Sequence, residues 1–265
     1  FKKMTKILKS SLNFYKKNGY LIVKNLISKK DIVKINSRLL ILEKNQNKTG
    51  RGLSEPGIKK SLIHSLHKDK ELKKIIFEKE WYKNICKKLL NSKNPITWNC
   101  KSNLKKKWHG SAEYYHQDYE YWRTYGFSNP NMLSCMIFIN NHSHLNGGMW
   151  IFPKSHNKHY KHEKFLNINS LQKNLIPSKT LNKLSKKNKP IKISEKAGSC
   201  IFFHCKLVHG SSHNISDLDR KIVLSQVADF NSYKKVNVKK IDSQNSKKRQ
   251  IYEKKVLKER LNKIS

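Results

Sequence analysis

Tyr114-Tyr115-His116-Gln117-Asp118-Tyr119-Glu120-Tyr121-Trp122 is the stretch on which the reading of this chain turns. It opens on β-favouring aromatic residues and sits among other short runs of the same character. These are Ile96 to Trp98, Leu133 to Ile139, Met149 to Phe152, Ile191 to Ile193, Cys200 to Phe203 and Ile222 to Val227, separated by Gly, Pro and Asn. Runs of that length and punctuation predict a β-sandwich or barrel. On a strand, residues i and i+2 share a face, so His116 and Asp118 present an imidazole and a carboxylate to one side while Gln117 turns away. Taken alone the pair is a weak signal, since the spacing arises by chance and a lone histidine is more often a core or surface residue.

Toward the N-terminus the periodicity changes. Ile7, Leu8, Leu12, Phe14 and Tyr15 recur at helical spacing between Met4 and Lys17, and Asn18-Gly19 supplies a stop. Tyr20 to Val23 reads as a short strand. Ser28 is placed to cap a second helix whose Ile32, Ile35, Leu39 and Leu42 form one stripe. A polar linker is expected from Asn45 to Gly57, then a third helical segment from about Asp69 to Leu90, whose apolar stripe is plain core. Helices first and short strands after predict an α+β protein, a double-sheet jelly roll with the N-terminal helices packed on one sheet. The expected layout is one domain of 265 residues: a mainly helical part at 1–94, the β core at 95–235 and a basic tail at 236–265. The lysine-rich segment between His156 and Pro190 is expected to be a surface excursion near the site mouth.

Bulk composition narrows the class. No apolar run reaches the ~18–20 residues of a membrane span. Five scattered cysteines without a C-x-x-C pair argue against a disulfide framework or a zinc knuckle and fit a reducing cytosol. The chain opens on Phe1 rather than Met, without the apolar core and cleavage site of a signal peptide, and its true start is expected to lie upstream. Lys+Arg number 57 against 18 Asp+Glu, a net charge of +39. Because the lysines are spread along the whole chain, without basic–aromatic interleaving, a solvated basic surface is favoured over a nucleic-acid site. A basic nucleic-acid-binding or demethylating protein on the same scaffold stays open as the alternative.

The metal reading needs a third ligand from a distant strand. Of twelve histidines the best placed is His209, which follows the run Cys200-Ile-Phe-Phe203 and precedes Gly210-Ser211; His204 in the same block is the runner-up. Two histidines and a carboxylate form a facial triad that leaves open positions, the donor set suited to non-haem Fe(II). A zinc hydrolase is the chemical rival, with Glu120 or Glu113 as its only obvious general base. Eleven residues beyond His209 stands Arg220, whose guanidinium can clamp a carboxylate through two parallel hydrogen bonds. Its bland reading is a surface ion pair with Asp217 or Asp219. The remaining histidines, His142, His144, His156, His159, His162 and His213, read most simply as surface or loop residues, with His156 a candidate to pack beneath the site.

Four blocks together resemble the phytanoyl-CoA dioxygenase-like Fe(II)/2-oxoglutarate oxygenases: His116-Gln-Asp-Tyr-Glu-Tyr-Trp122, Pro130-Asn-Met-Leu-Ser-Cys135, Asn146-Gly147 with Phe152-Pro-Lys-Ser-His156, and Gly198-Ser-Cys-Ile-Phe-Phe-His204 with His209-Gly-Ser211 and Arg220. Phe14 to Val23 is similar to the family's first strand. The resemblance implies a double-stranded β-helix with iron on His116, Asp118 and His209, and 2-oxoglutarate chelating that iron. Arg220 and Ser211 would hold its far carboxylate, with Asn103 and Lys105 nearby, and O2 would be the oxidant. It implies hydroxylation of an aliphatic C–H in a small-molecule substrate with release of succinate and CO2, because halogenating relatives carry a small residue where Asp118 stands. Trp122 and Phe203 are the candidate substrate contacts, and around them the chain is similar to the ectoine-hydroxylase branch. It departs from that branch at Asn99, where a glutamine is usual, and at Arg123-Thr-Tyr-Gly126. The family's Pro-Gly-Ser-His turn reads Pro153-Lys-Ser-His156 here, so a lysine stands where a glycine with positive φ is expected.

Overall fold

A computed structural model describes residues 8–45, 52–55, 58–164, 172 and 174–233. The expected basic tail at 236–265 and the first residues of the opening helix lie outside them. Helix α1 (Lys9–Asn18) ends where Gly19 takes φ +81° and its N–H bonds to Tyr15 O. Strand β1 (Tyr20–Val23) follows, then α2 (Lys29–Lys44), whose cap is the anticipated one: Ser28 Oγ accepts from Asp31 N at 3.1 Å. Ile35 and Leu39 of its stripe are fully buried.

Two expectations are corrected in the N-terminal part. Of the polar linker anticipated at 45–57, residues Gly52–Glu55 form strand β2, which pairs with β3 (Ile58–His64) and extends the main sheet. Polarity misled there because pairing at a sheet edge is made by backbone hydrogen bonds, which residue polarity does not report. The third helical segment is also interrupted. Asp69 caps a turn at Lys70–Leu72 that widens to a π-helical stretch over Lys73–Phe77, and α3 proper is Glu80–Leu90. Arg38 grips the Asp69 carboxylate from α2 at 2.8 Å, which fixes this start.

The remaining strands are β4 (Pro95–Lys105), β5 (Glu113–His116), β6 (Met132–Phe138), β7 (Met149–Ile151), β8 (Glu163–Lys164), β9 (Asn174–Leu175), β10 (Ile191–Lys192), β11 (Cys200–His204), β12 (His209–Ser211) and β13 (Arg220–Asp229). Among the described residues a seven-stranded sheet runs β1-β11-β6-β13-β4-β3-β2 and a four-stranded sheet runs β10-β7-β12-β5, with antiparallel pairing throughout. Every residue of β6 is buried, because both of its faces are covered. On one face Leu133, Cys135, Ile137, Phe202 and Val223 meet Ile35 and Leu39 of α2 and Ile85 and Leu89 of α3. On the other, Met136, Phe138, Ile201, Phe203, Ile222 and Leu224 meet Met149 and Ile151 of the smaller sheet. Continuous apolar runs in β6 and β11 are thus the signature of strands packed on both sides.

The segment after His156 carries the short pair β8–β9, and its helix over Ser178–Lys187 docks by Leu184 against Phe152, Ile176 and Val208. Within the Pro153-Lys-Ser-His156 turn, Lys154 itself adopts φ +65° and donates its N–H to Asn18 O at 2.9 Å. The lysine itself bears the left-handed conformation, a cost of about 1–2 kcal/mol. No described helix is long and apolar enough to cross a membrane.

Candidate metal centre

Strand β5 ends at His116, and Asp118 is not on it. Gln117 continues the extended backbone (φ −117°, ψ 130°), and Asp118 opens a short helix, α4 (Asp118–Trp122). The alternation argument survives by one residue, because the facing of i and i+2 depends on an extended residue between them. A carboxylate in the first turn suits the positive end of the helix, and the turn is tied down by Tyr119 N to Cys205 O at 2.9 Å. Strand β12 supplies His209, which lies directly opposite His116 in the β12–β5 register. The two rings are 4.3 Å apart between centroids.

Both imidazoles reach Asp118 Oδ1 through Nε2, at 3.8 Å from His116 and 3.7 Å from His209. One potential ligand atom from each of the three residues lies within 4.8 Å of the others. Each ring uses Nδ1 on a backbone carbonyl two residues upstream, His116 on Tyr114 O at 2.8 Å and His209 on Leu207 O at 2.9 Å. A carbonyl only accepts, so Nδ1 carries the proton and Nε2 keeps its lone pair for the centre. Burial, followed by the neighbouring His209, lowers the His116 pKa to about 4, leaving the ring neutral near pH 7. Ser134 Oγ donates to the other carboxylate oxygen, Asp118 Oδ2, at 2.7 Å. Two imidazoles and a braced carboxylate, with no fourth ligating side chain clustered with them among the described residues, fit Fe(II).

Arg220, the first residue of β13, faces Lys105 across the β13–β4 pair, and both are 2% exposed. Its guanidinium donates to Gly147 O at 3.1 Å and to Asn103 Oδ1 at 2.7 Å; Lys105 Nζ donates to Ser211 Oγ at 2.8 Å and to Ser212 O at 2.6 Å. The four residues expected to hold a diacid therefore meet, and the surface ion pair with Asp217 or Asp219 is not formed: Asp219 instead takes Lys106 at 3.1 Å. Gly147 allows this approach, since its φ is +84° and a Cβ there would lie 2.6 Å from Lys105 Cδ. Burying two cations side by side suits an anionic guest. Together they help push the pKa of His142 well below its usual value, after burial itself.

Phe203 is fully buried, with its ring 4.9 Å from that of His209. Trp122 instead closes the aromatic core below the site, edge-on to Trp98 at 5.7 Å and 5% exposed. His204 does not join the ligand set. Its Nδ1 accepts from Lys206 N at 3.0 Å and its ring lies 5.5 Å from His156. Two histidines expected at the surface or in loops are inside, His142 stacked on Phe138 and accepting from Met149 N and the His162 side chain 0% exposed, while His156, the candidate for packing, is buried against Gly19 and Lys16 O. Each ring satisfies a backbone group, which polar spacing in a sequence does not reveal. Ser134 was also missed, although a serine inside an otherwise apolar strand is itself a signal that a partner is near.

Glu120, His159 and His162 form a second group with clustered ligand atoms. It does not suit a metal. Arg123 takes both Glu120 oxygens at 2.8 and 2.9 Å, and His162 accepts from Gln117 N through Nε2 while its Nδ1 faces Tyr160 O at 2.9 Å. The same contacts engage the carboxylate that a zinc hydrolase would need as its base.

Burial lowers the pKa of His204 to about 3. Its unfolded value is near 6.5, so the unfolded chain binds a proton that the folded chain refuses. The resulting stability is present above about pH 6.5 and is lost as pH falls toward 3. Urea unfolding at pH 7 and pH 5 should give a smaller loss for His204→Asn than for the native chain.

The sequence profile described as phytanoyl-CoA dioxygenase (PhyH) matches residues 15–222. An ectoine dioxygenase of Stutzerimonas stutzeri (strain A1501) is 29% identical over 220 residues, covering 76% of this chain and 70% of that one. An L-proline trans-4-hydroxylase of Streptomyces griseoviridis is 21% identical over 223 residues, 79% of this chain and 82% of that one. Among solved structures, EctD from S. alaskensis with 2-oxoglutarate and 5-hydroxyectoine superimposes with a TM-score of 0.75 at 17% identity, over 88% of this chain and 79% of that one. The carbocyclase SnoK from nogalamycin biosynthesis gives 0.62 at 18% identity, over 84% of each. With its profile match spanning most of the sequence, the chain belongs to the phytanoyl-CoA dioxygenase family and is a 2-oxoglutarate-dependent dioxygenase that uses iron and O2.

Proposed function

We propose that this dioxygenase hydroxylates an aliphatic C–H of a small molecule, working as one double-stranded β-helix domain. The observation that carries the reading is the convergence of His116 Nε2, His209 Nε2 and Asp118 Oδ1 within one ion's reach, with both Nδ1 atoms already engaged. When bound, Fe(II) with 2-oxoglutarate and O2 supplies the oxidising chemistry: 2-oxoglutarate loses CO2, one oxygen atom enters succinate and the other enters the substrate C–H. The protein's own part is positional. His116, Asp118 and His209 would hold the ion, and Ser134 holds the carboxylate to a single orientation. Arg220, with Asn103, Lys105 and Ser211, receives the far carboxylate of 2-oxoglutarate. Phe203 forms an apolar wall beside His209, keeping water from the reacting carbon. Ectoine and L-proline, named in two relatives, set the scale of substrate to try first. A cytosolic location belongs to the same reading, supported by five buried cysteines, all free thiols.

Anaerobic addition of Fe(II) and 2-oxoglutarate should produce the weak visible charge-transfer band of the chelate. Absence of that band in folded native protein would remove the proposal.

A further inference from the structure

We propose that Gln117, together with His162, is the positioning device of the metal centre, a clasp that holds the flanks of all three ligands in one hydrogen-bonded unit. The inference rests on the metal reading above. Gln117 lies between His116 and Asp118, and its side chain, pointing away from the centre, is completely buried. Its amide Nε2 donates to Lys158 O at 2.7 Å and also to Lys206 O. Its Oε1 accepts from Tyr160 N at 2.8 Å, and its backbone N–H donates to His162 Nε2 at 3.0 Å. Lys206 is three residues before His209. One amide therefore ties the turn carrying His116 and Asp118 to the turn leading into the third ligand, and both to the 158–162 segment.

The chemistry of these contacts is specific. Two donors and one acceptor at that reach are what a glutamine amide offers; an ionised glutamate has no donor, and an asparagine is one methylene short. His162 can accept from Gln117 N only in the tautomer protonated at Nδ1, which its contact with Tyr160 O selects. Burial lowers its pKa to about 4, so it stays neutral and able to accept. Two residues beyond Asp118 the same segment makes a second approach, where His159 Nε2 lies 3.0 Å from the Arg123-bound Glu120 carboxylate. Residues 158–162 thus bond to the residue before Asp118 and lie against Glu120 just after it. The group with clustered metal-ligating atoms outside the centre is, on this view, part of the mounting.

Metal affinity measured apart from turnover separates positioning from general stability. The full chain and its Gln117→Glu, Gln117→Met and His162→Phe variants are to be titrated as apoprotein with Co(II), followed by ligand-field absorption, with thermal melts by circular dichroism alongside. Expected are cooperative melts and a Co(II) affinity weakened about 10–100-fold in each folded variant, the range for loss of outer hydrogen-bond partners. Native affinity in any folded variant overturns the clasp. If both Gln117 variants fail to fold, His162→Phe decides by the same criterion, and if it also fails to fold the role is general stability and the clasp is overturned. Failure of the native chain to bind Co(II) would sink the metal centre itself, a different result from unchanged affinity in the variants.

Discussion

Asp118→Ala is expected to abolish substrate-dependent succinate formation while leaving the protein folded. Asp118 supplies the only carboxylate of the three clustered ligand residues, and Ser134 is spent on aiming it. Loss of the carboxylate leaves two imidazoles and no anionic ligand for a doubly charged ion, and affinity should fall by more than the about 10–100-fold that an outer partner costs. Ser134→Ala tests the distinction, since it removes only the brace and should fall within that range. The fold should tolerate Asp118→Ala because the residue opens a five-residue helix, where loss of an acidic first-turn group costs about 0.3–1 kcal/mol. Succinate release and a melting curve on the same preparation check both halves. Native turnover in the folded variant would contradict the assignment.

Arg220→Ala should act on the cosubstrate and spare the metal. The guanidinium is buried at the start of β13, beside Lys105 and fixed by Asn103 and the Gly147 carbonyl. Its loss removes charge-assisted hydrogen bonds of about 2–3 kcal/mol to a bound carboxylate, which corresponds to a rise in KM for 2-oxoglutarate of about 30- to 150-fold. With saturating cosubstrate kcat should change much less, and Co(II) affinity should stay native. Arg220→Lys should recover part of the loss, because it restores the charge without the planar fork. An unchanged KM would remove Arg220 from the cosubstrate site.

The two assignments differ in how legible they were. His116 and Asp118 could be paired from spacing because i and i+2 faces depend only on local extended backbone, and that held even though Asp118 begins a helix. Arg220 was found from its distance to His209 within a family pattern. Its partner Lys105 lies 115 positions earlier and meets it only through the β13–β4 register. Ser134 and Gln117 escaped because their contacts, to Asp118 and to the Lys158, Tyr160 and Lys206 backbone, join positions 16 to 89 residues apart.

By itself the sequence determined what local periodicity and turn chemistry can determine: where helix α1 stops, where α2 begins and stops, that the apolar runs from Ile96 to Val227 become strands, and that one strand end would carry an imidazole and a carboxylate on one side. Helix spacing, strand alternation, a serine cap and a glycine stop each act over a few residues, so each is written in adjacent letters. Tertiary structure alone decided that His209 would stand opposite His116, that Arg220 would turn inward beside a buried lysine, that Trp122 would pack as core, and that a polar 52–55 would become an edge strand. Those outcomes depend on strand register and on which faces are covered, and both are set by packing between segments far apart in the chain.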